Sequence, residues 1–175
     1  MRFAAAIALA VVLLSACTPK PGAVSDASGA AKQAPPAQSA APAENPTWGK
    51  RFTWPDGLAI EVSAPAACKP GEYSFPDGVK RAAKFKVVVV NDTKKSFDVA
   101  MLTVGSDAQF AGAKSEKVFD SDGPCKDSGL ATSTVLPGKT FSFEITYAVG
   151  AEPGEMQLSF QPDFTSPKAI YVGQV

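Results

Sequence analysis

The chain has 175 residues, with 17 Lys and Arg against 17 Asp and Glu, no histidine and 45% hydrophobic residues, which is the composition of one globular domain with modest additions. The balanced charge supplies no long-range field to gather nucleic acid, and no run of Lys and Arg supplies a local one. Without histidine there is no Ser-His-Asp or Cys-His nucleophile system, no HExxH zinc site and no His-based copper site.

Residues 1–16, MRFAAAIALAVVLLSA, place Arg2 ahead of an apolar run from Phe3 to Leu14 and then small residues. That is the layout of an export signal. The apolar run is too short to span a hydrocarbon core, which takes about 20 helical residues. Residues 17–47 follow as a linker. From Thr18 to Thr47 they are nearly all Ala, Pro, Gly, Ser and Gln, with Val24 the one large aliphatic. Such a segment cannot bury enough apolar surface to offset its ordering entropy, and a disordered tether is predicted. As a flexible coil, about 30 residues span roughly 30 Å root-mean-square, and polyproline stretching could take them towards ~90 Å.

At the junction, Leu14-Ser15-Ala16-Cys17 resembles the lipobox of bacterial lipoproteins. The resemblance implies a diacylglycerol thioether on Cys17, cleavage before it and a further acyl chain, such as palmitate, on the freed amine. Two or more acyl chains at ~0.8 kcal/mol per buried methylene hold a protein on a membrane where one does not. The implied location is the extracytoplasmic face of the cell membrane. With Cys17 used for lipid, Cys68 and Cys125 remain as an even pair in an oxidising compartment, and a disulfide between them is predicted.

The folded domain is predicted over 48–175, long enough for a substantial core. Trp48, Phe52 and Trp54 offer either an aromatic binding surface or the buried start of a first strand, and the second is favoured by how often aromatics serve as core. Leu58, Ile60 and Val62 alternate with Ala59, Glu61 and Ser63, the period of a half-buried strand. Lys84-Phe-Lys-Val-Val-Val-Val90 begins with alternation and then turns apolar on both faces, as a central strand does. Further strands are predicted at 96–104, 108–118, 131–136 and 168–173. The strongest patterns are Phe141, Phe143, Ile145 and Tyr147 against Thr140, Ser142, Glu144 and Thr146, and Met156, Leu158 and Phe160 against Gln157, Ser159 and Gln161.

Turn signals such as Pro55-Asp56-Gly57, Pro76-Asp77-Gly78, Asn91-Asp92-Thr93 and Pro137-Gly138 separate these runs. The echo of FTWPDG (52–57) in YSFPDG (73–78) is read as two turns rather than a repeat, because the chain diverges after each. No window in 48–175 carries a 3.6-residue period. Many short strands with frequent turns predict an all-β, immunoglobulin-like β-sandwich.

Three blocks, Lys84-Phe-Lys-Val-Val-Val-Val-Asn-Asp-Thr93, Leu136-Pro-Gly-Lys-Thr-Phe-Ser-Phe-Glu-Ile-Thr-Tyr147 and Met156-Gln-Leu-Ser-Phe-Gln-Pro162, resemble an uncharacterised family of immunoglobulin-like, immunoprotective-extracellular-type domains on exported lipoproteins of Gram-positive bacteria, especially actinobacteria. The resemblance implies a sandwich and brings no catalytic residues, since these positions are core and turns.

Two chemical candidates remain. Asp120, Asp122 and Asp127 could contribute to a calcium site, as Asp120-Ser-Asp-Gly123 is half of an EF-hand loop. Counted from Asp120 as position 3, however, position 12 falls on Gly129, where a bidentate Glu belongs. Asn91-Asp92-Thr93 matches a glycosylation sequon and is read as a turn. The leading expectation is a non-enzymatic, cofactor-free, lipid-anchored domain that recognises an envelope protein or cell-wall ligand. A carboxylate-based metal carrier or envelope enzyme is the alternative.

Overall fold

The computed structural model describes residues 22–26, 45–128 and 132–175. The export signal and Cys17 lie outside these residues. The described chain is all-β, with strands in the order β1 (Ala23–Asp26), β2 (Lys50–Thr53), β3 (Leu58–Val62), β4 (Ala66–Cys68), β5 (Arg81–Asn91), β6 (Phe97–Asp98), β7 (Thr103–Val104), β8 (Gln109–Phe110), β9 (Ala113–Lys114), β10 (Thr134–Val135), β11 (Lys139–Val149), β12 (Glu155–Gln161) and β13 (Ala169–Gln174). No helix among the described residues is long and apolar enough to cross a membrane.

Two sheets face each other as an immunoglobulin-like sandwich. The first has the order β1-β2-β3-β5-β11, with β4 beside β5; the second has β13-β12-β8-β9, with β7 beside β12; β6 and β10 form a separate ribbon. The apolar run read as a central strand is one: β5 pairs with β11 along its whole length, from Arg81 opposite Val149 to Asn91 opposite Lys139. Its other edge is shared by β3 at 87–91 and β4 at 82–84. Phe85, Val87 and Val89 point into the core, where they meet Ile60, Ile145, Leu158, Phe160 and Tyr171. Each such side chain contributes roughly 1.5–3 kcal/mol on leaving water, which is what holds the two sheets together.

The alternating residues of β3, β11 and β12 are buried as their period requires: Ile60, Val62, Phe143, Ile145, Tyr147, Met156, Leu158 and Phe160 are at most 3% exposed. Pro55-Asp56-Gly57 closes the β2–β3 hairpin, with Gly57 at φ +100° and the Asp56 carboxylate accepting from the Leu58 amide. The second copy of that tripeptide lies in the long loop before β5, so the echo is two separate turns. Phe52 and Trp54 are buried, with ring centroids 5.2 Å apart, and Trp48 packs on Phe85 at 4.8 Å. These aromatics are core, not a binding surface.

Three expectations are corrected. The segment 96–104 is not one strand: the Asp98 carboxylate accepts from the Ala100 amide and caps a 3-10 turn at Val99–Met101 between β6 and β7. Nor is 108–118, where Ala111 and Gly112 take positive φ and fold the chain back as the β8–β9 hairpin. The tether is not wholly without structure, since Ala23–Asp26 adds an edge strand to β2, with Val24 opposite Phe52 and Asp26 ion-paired to Lys50. Small residues make this possible: a Cβ on Gly22 would lie 2.1 Å from the Phe52 ring.

Asn91 ends β5 fully buried. Its side-chain amide donates to the carbonyls of Lys95 (2.8 Å) and Val135 (2.7 Å), and its oxygen accepts from Thr93. The sequon is therefore a turn whose acceptor nitrogen is already committed inside the fold.

Candidate functional site

The loops before β5 and before β10 meet at one end of the sandwich. The predicted disulfide is present there: Cys68, the last residue of β4, is bonded to Cys125, with the Cα atoms 5.4 Å apart. Asp120 organises the surrounding backbone. Only 6% exposed, its carboxylate accepts from the amides of Gly123 (2.9 Å), Cys125 (3.0 Å) and Gly71 (3.2 Å). A side chain on Gly123 would collide with this carboxylate, with its Cβ 2.2 Å from Oδ2.

The calcium candidates do not converge. Asp120 has both oxygens on backbone amides, Asp122 is exposed, and Asp127 faces the Lys117 ammonium at 3.6 Å. Among the described residues, no three carboxylate, cysteine or histidine side chains gather closely enough to hold a metal ion. Asp120 acts instead as a turn staple beside the disulfide.

This framework displays aromatics. Phe75 and Phe119 exchange reciprocal backbone hydrogen bonds, 2.8 Å from the Phe75 amide and 2.7 Å from the Phe119 amide, which brings the loop before β5 against the segment that follows β9. The same segment runs along the end of β11, where Val118 donates to Thr146 and Ala148 donates to Glu116. With their amides paired, the two rings are left outward, Phe75 66% and Phe119 46% exposed.

Two adjoining hollows lie beneath them. One of about 310 Å³ is lined by Phe75, Pro76, Gly105 and Lys114. The other, about 380 Å³, is lined by Val99, Leu102, Phe143 and Ile145. Val104, Lys117, Phe119 and Tyr147 line both, so the pair forms one apolar groove at the opening between the sheets.

Its polar lining is gathered in the first hollow, where Ser106, Lys114, Ser115, Glu116 and Lys117 stand at the wall. The Lys117 ammonium stands 5.1 Å from the centroid of the Phe119 ring, on the ring face. The Tyr147 hydroxyl lies 3.4 Å from the Val104 carbonyl, under Gly105, where a Cβ would be 1.9 Å from the phenol oxygen. Burial first, and then the charges of Asp127 and Asp107, push the Tyr147 phenol up to about 12. At neutral pH it is a hydrogen-bond donor, not a base. Nearby, burial works to raise the Asp107 carboxyl, but Lys168 and Ser159 outweigh it and leave Asp107 below the usual carboxylate range. Such an arrangement can enclose aliphatic or aromatic groups and orient them against the charges of Lys114, Glu116 and Lys117 at its wall.

The floor of the groove, Phe143, Ile145 and Tyr147, stands out in the sequence as core, but its rim does not. Phe75 precedes a turn tripeptide, and Phe119 falls just after the segment 108–118 that reads as a strand. The nearest signal was Tyr147, which the alternation of β11 marks as inward-facing.

No family model matches the sequence, and no curated protein matches it. Among solved structures, the chain is similar to a candidate lipoprotein, ycdA of Bacillus subtilis, at 14% identity and a TM-score of 0.52, covering 70% of this chain and 37% of that one. The chain thus spans little more than a third of that protein, and the likeness is one of fold. It also aligns with the yjhA protein of Bacillus subtilis (13% identity, 72% of this chain and 97% of that one, TM-score 0.48) and with an uncharacterised β-sandwich protein of Clostridium difficile (14%, 79% and 99%, TM-score 0.45).

Proposed function

We propose that the chain is a non-catalytic binding domain, held on the extracytoplasmic face of the membrane by lipid on Cys17, which receives an apolar portion of an envelope protein or wall polymer in the groove beneath Phe75 and Phe119. The observation that carries this reading is the groove itself: two outward phenyl rings fixed over apolar hollows by reciprocal backbone bonds and a disulfide. Exposed apolar surface at a rigid concave site is what recognition surfaces offer. The Leu-Ser-Ala-Cys motif supports the anchor, and the sandwich shared with a candidate lipoprotein fits it. The three sequence blocks support membership of the immunoprotective-extracellular-type domains.

The test uses the full-length protein in cells. A photoreactive benzoylphenylalanine at position 119 should yield a cross-linked envelope component, whereas the same residue at the distant, exposed Lys139 should not. Equal or absent cross-linking at the two sites would refute the groove as a binding site. Anchoring is read separately: the protein should enter the detergent phase on phase separation, and Cys17→Ser should move it to the aqueous phase.

A further inference from the structure

The direction of β1 determines at which end of the sandwich the chain that leads from Cys17 enters the fold. Ala23 stands opposite Thr53, Thr53 opposite Ala59, Ala59 opposite Val90, and Val90 opposite Thr140. Ala23 therefore lies on the row where β5 ends and β11 begins. The disulfide is at the other end, since Cys68 stands opposite Ala82 at the start of β5. Six residue steps separate Cys17 from Ala23, so the two cannot be further apart than about 22 Å at ~3.6 Å per residue.

The same end displays isolated apolar side chains. Phe164, in the loop between β12 and β13, is 96% exposed, and Leu136, on the turn into β11, is 57% exposed. The Trp54 indole donates to the Pro167 carbonyl at 2.8 Å, tying the Phe164 loop to the end of β2, and the Gly138 amide donates to the Asn91 carbonyl, tying the Leu136 turn to the end of β5. Phe164 is not on a loose tip. The Asp163 carboxylate accepts from the amides and hydroxyls of both Thr165 and Ser166. Those bonds, the Thr165 hydroxyl first, hold its carboxyl down to about 2, so the clamp is closed at neutral pH. Both signs of charge flank these side chains, with Lys94, Lys95 and Lys139 against Asp56, Asp92 and Asp163 and with Lys168 ion-paired to Asp107, so apolar contact rather than net charge would favour a surface.

We infer that this end of the sandwich seats on the bilayer that holds the Cys17 lipid, with Phe164 and Leu136 in the headgroup region and the disulfide-bonded end, with the Phe75 rim of the groove, turned outward. An aromatic side chain on a rigid turn suits the membrane interface, where its ring leaves water without crossing the hydrocarbon. A short link to a lipid at that same end supplies the local concentration that one ring could not supply alone. The inference rests on the lipid-anchor reading of Cys17.

The experiment uses full-length, acylated protein in vesicles of phosphatidylcholine and phosphatidylglycerol whose acyl chains carry bromine near the headgroup. Phe164→Trp and Tyr73→Trp each replace an exposed aromatic, Tyr73 being 90% exposed in the loop of the disulfide-bonded end, and the signal of Trp48 and Trp54 is subtracted with the parent protein. Bromolipid quenching should be several-fold greater at position 164 than at 73. Gly22→Leu, which collides with Phe52 and releases β1, should bring the two positions together. Equal quenching at 164 and 73 in protein that floats with the vesicles overturns the orientation and leaves the anchor standing. Unequal quenching that survives Gly22→Leu overturns the role of β1. Failure to float overturns both the anchor and the seat.

Discussion

The Asp120 carboxylate accepts a hydrogen bond from the amide of Cys125 at 3.0 Å, in a site where the cysteine is fully buried and the aspartate nearly so. One side chain thereby shapes the turn that delivers its neighbour to the disulfide. Asp120→Ala should cost about 1–3 kcal/mol, because it leaves buried amides without an acceptor. Urea unfolding measures this. The same geometry predicts that millimolar calcium leaves the melting temperature of the native protein unchanged, since any ion bound to the folded state would raise it.

The disulfide closes a loop with a sequence separation of 57. In the chain-entropy model such a closure contributes about 4 kcal/mol. Reduction, or the double substitution Cys68→Ser with Cys125→Ala, should lower the urea midpoint accordingly. Tryptic peptides mapped without reductant should contain Cys68 joined to Cys125, and a pair of alkylatable thiols would contradict the link.

Tyr147 and Tyr171, whose phenols are both raised first of all by burial, give the fold an alkaline limit, and the first of them is the testable one. Its phenol is raised from the ordinary 10.0 to about 12 in the folded state. A raised value means that the folded protein holds a proton which the unfolded chain gives up more easily. The resulting stabilisation is complete below pH 10 and is lost progressively as pH climbs towards 12. Unfolding at pH 9, 10, 11 and 12 should show a decline that Tyr147→Phe reduces. If the substituted protein declines as steeply as the parent, other groups set the limit.

The groove residues should separate binding from stability. Phe75→Ser and Phe119→Ser alter exposed rings whose amides remain paired, so each should change unfolding free energy by no more than about 0.5 kcal/mol. By contrast, Ile145→Ala, in a fully packed position, should cost about 2–5 kcal/mol. Loss of partner cross-linking in the phenylalanine variants with unchanged melting would assign the rings to recognition. A melting loss comparable to that of Ile145→Ala would assign them to the core.

What could be read from the sequence follows from how local its causes are. The alternation in β11 and β12 and the long apolar run of β5 are one-dimensional consequences of a pleat with one face in the core, and the inward rows from Phe143 to Tyr147 and from Met156 to Phe160 are buried, although Thr146 and Ser159 on the other face are buried too and Phe141 is only half-buried. The cysteine pairing was accessible by elimination, given the resemblance at Cys17. The turns inside 96–104 and 108–118 were not legible as such, because a side-chain cap from Asp98 and a positive φ at Ala111 override residues with good strand propensity. The groove was hidden for a different reason. Phe75 and Phe119 become neighbours only through backbone hydrogen bonds between two irregular segments, and no periodicity records such a meeting. The three aromatics that did attract notice, Trp48, Phe52 and Trp54, look the same in sequence, yet the sheet directs them inward.

The four-residue strand contributed by the tether has a consequence for how copies of the protein meet. Edge amides and carbonyls left open are a template on which another chain can build, and Ala23–Asp26 covers that row on β2 with Ala, Val, Ser and Asp, all of them exposed. A protein trimmed to begin at residue 45 would bare the row next to Phe52. It should form strand-paired dimers or larger species in gel filtration, while a protein retaining residue 22 onward stays dispersed. At high local concentration, a segment that reads as mere spacer would keep neighbouring molecules from zipping together.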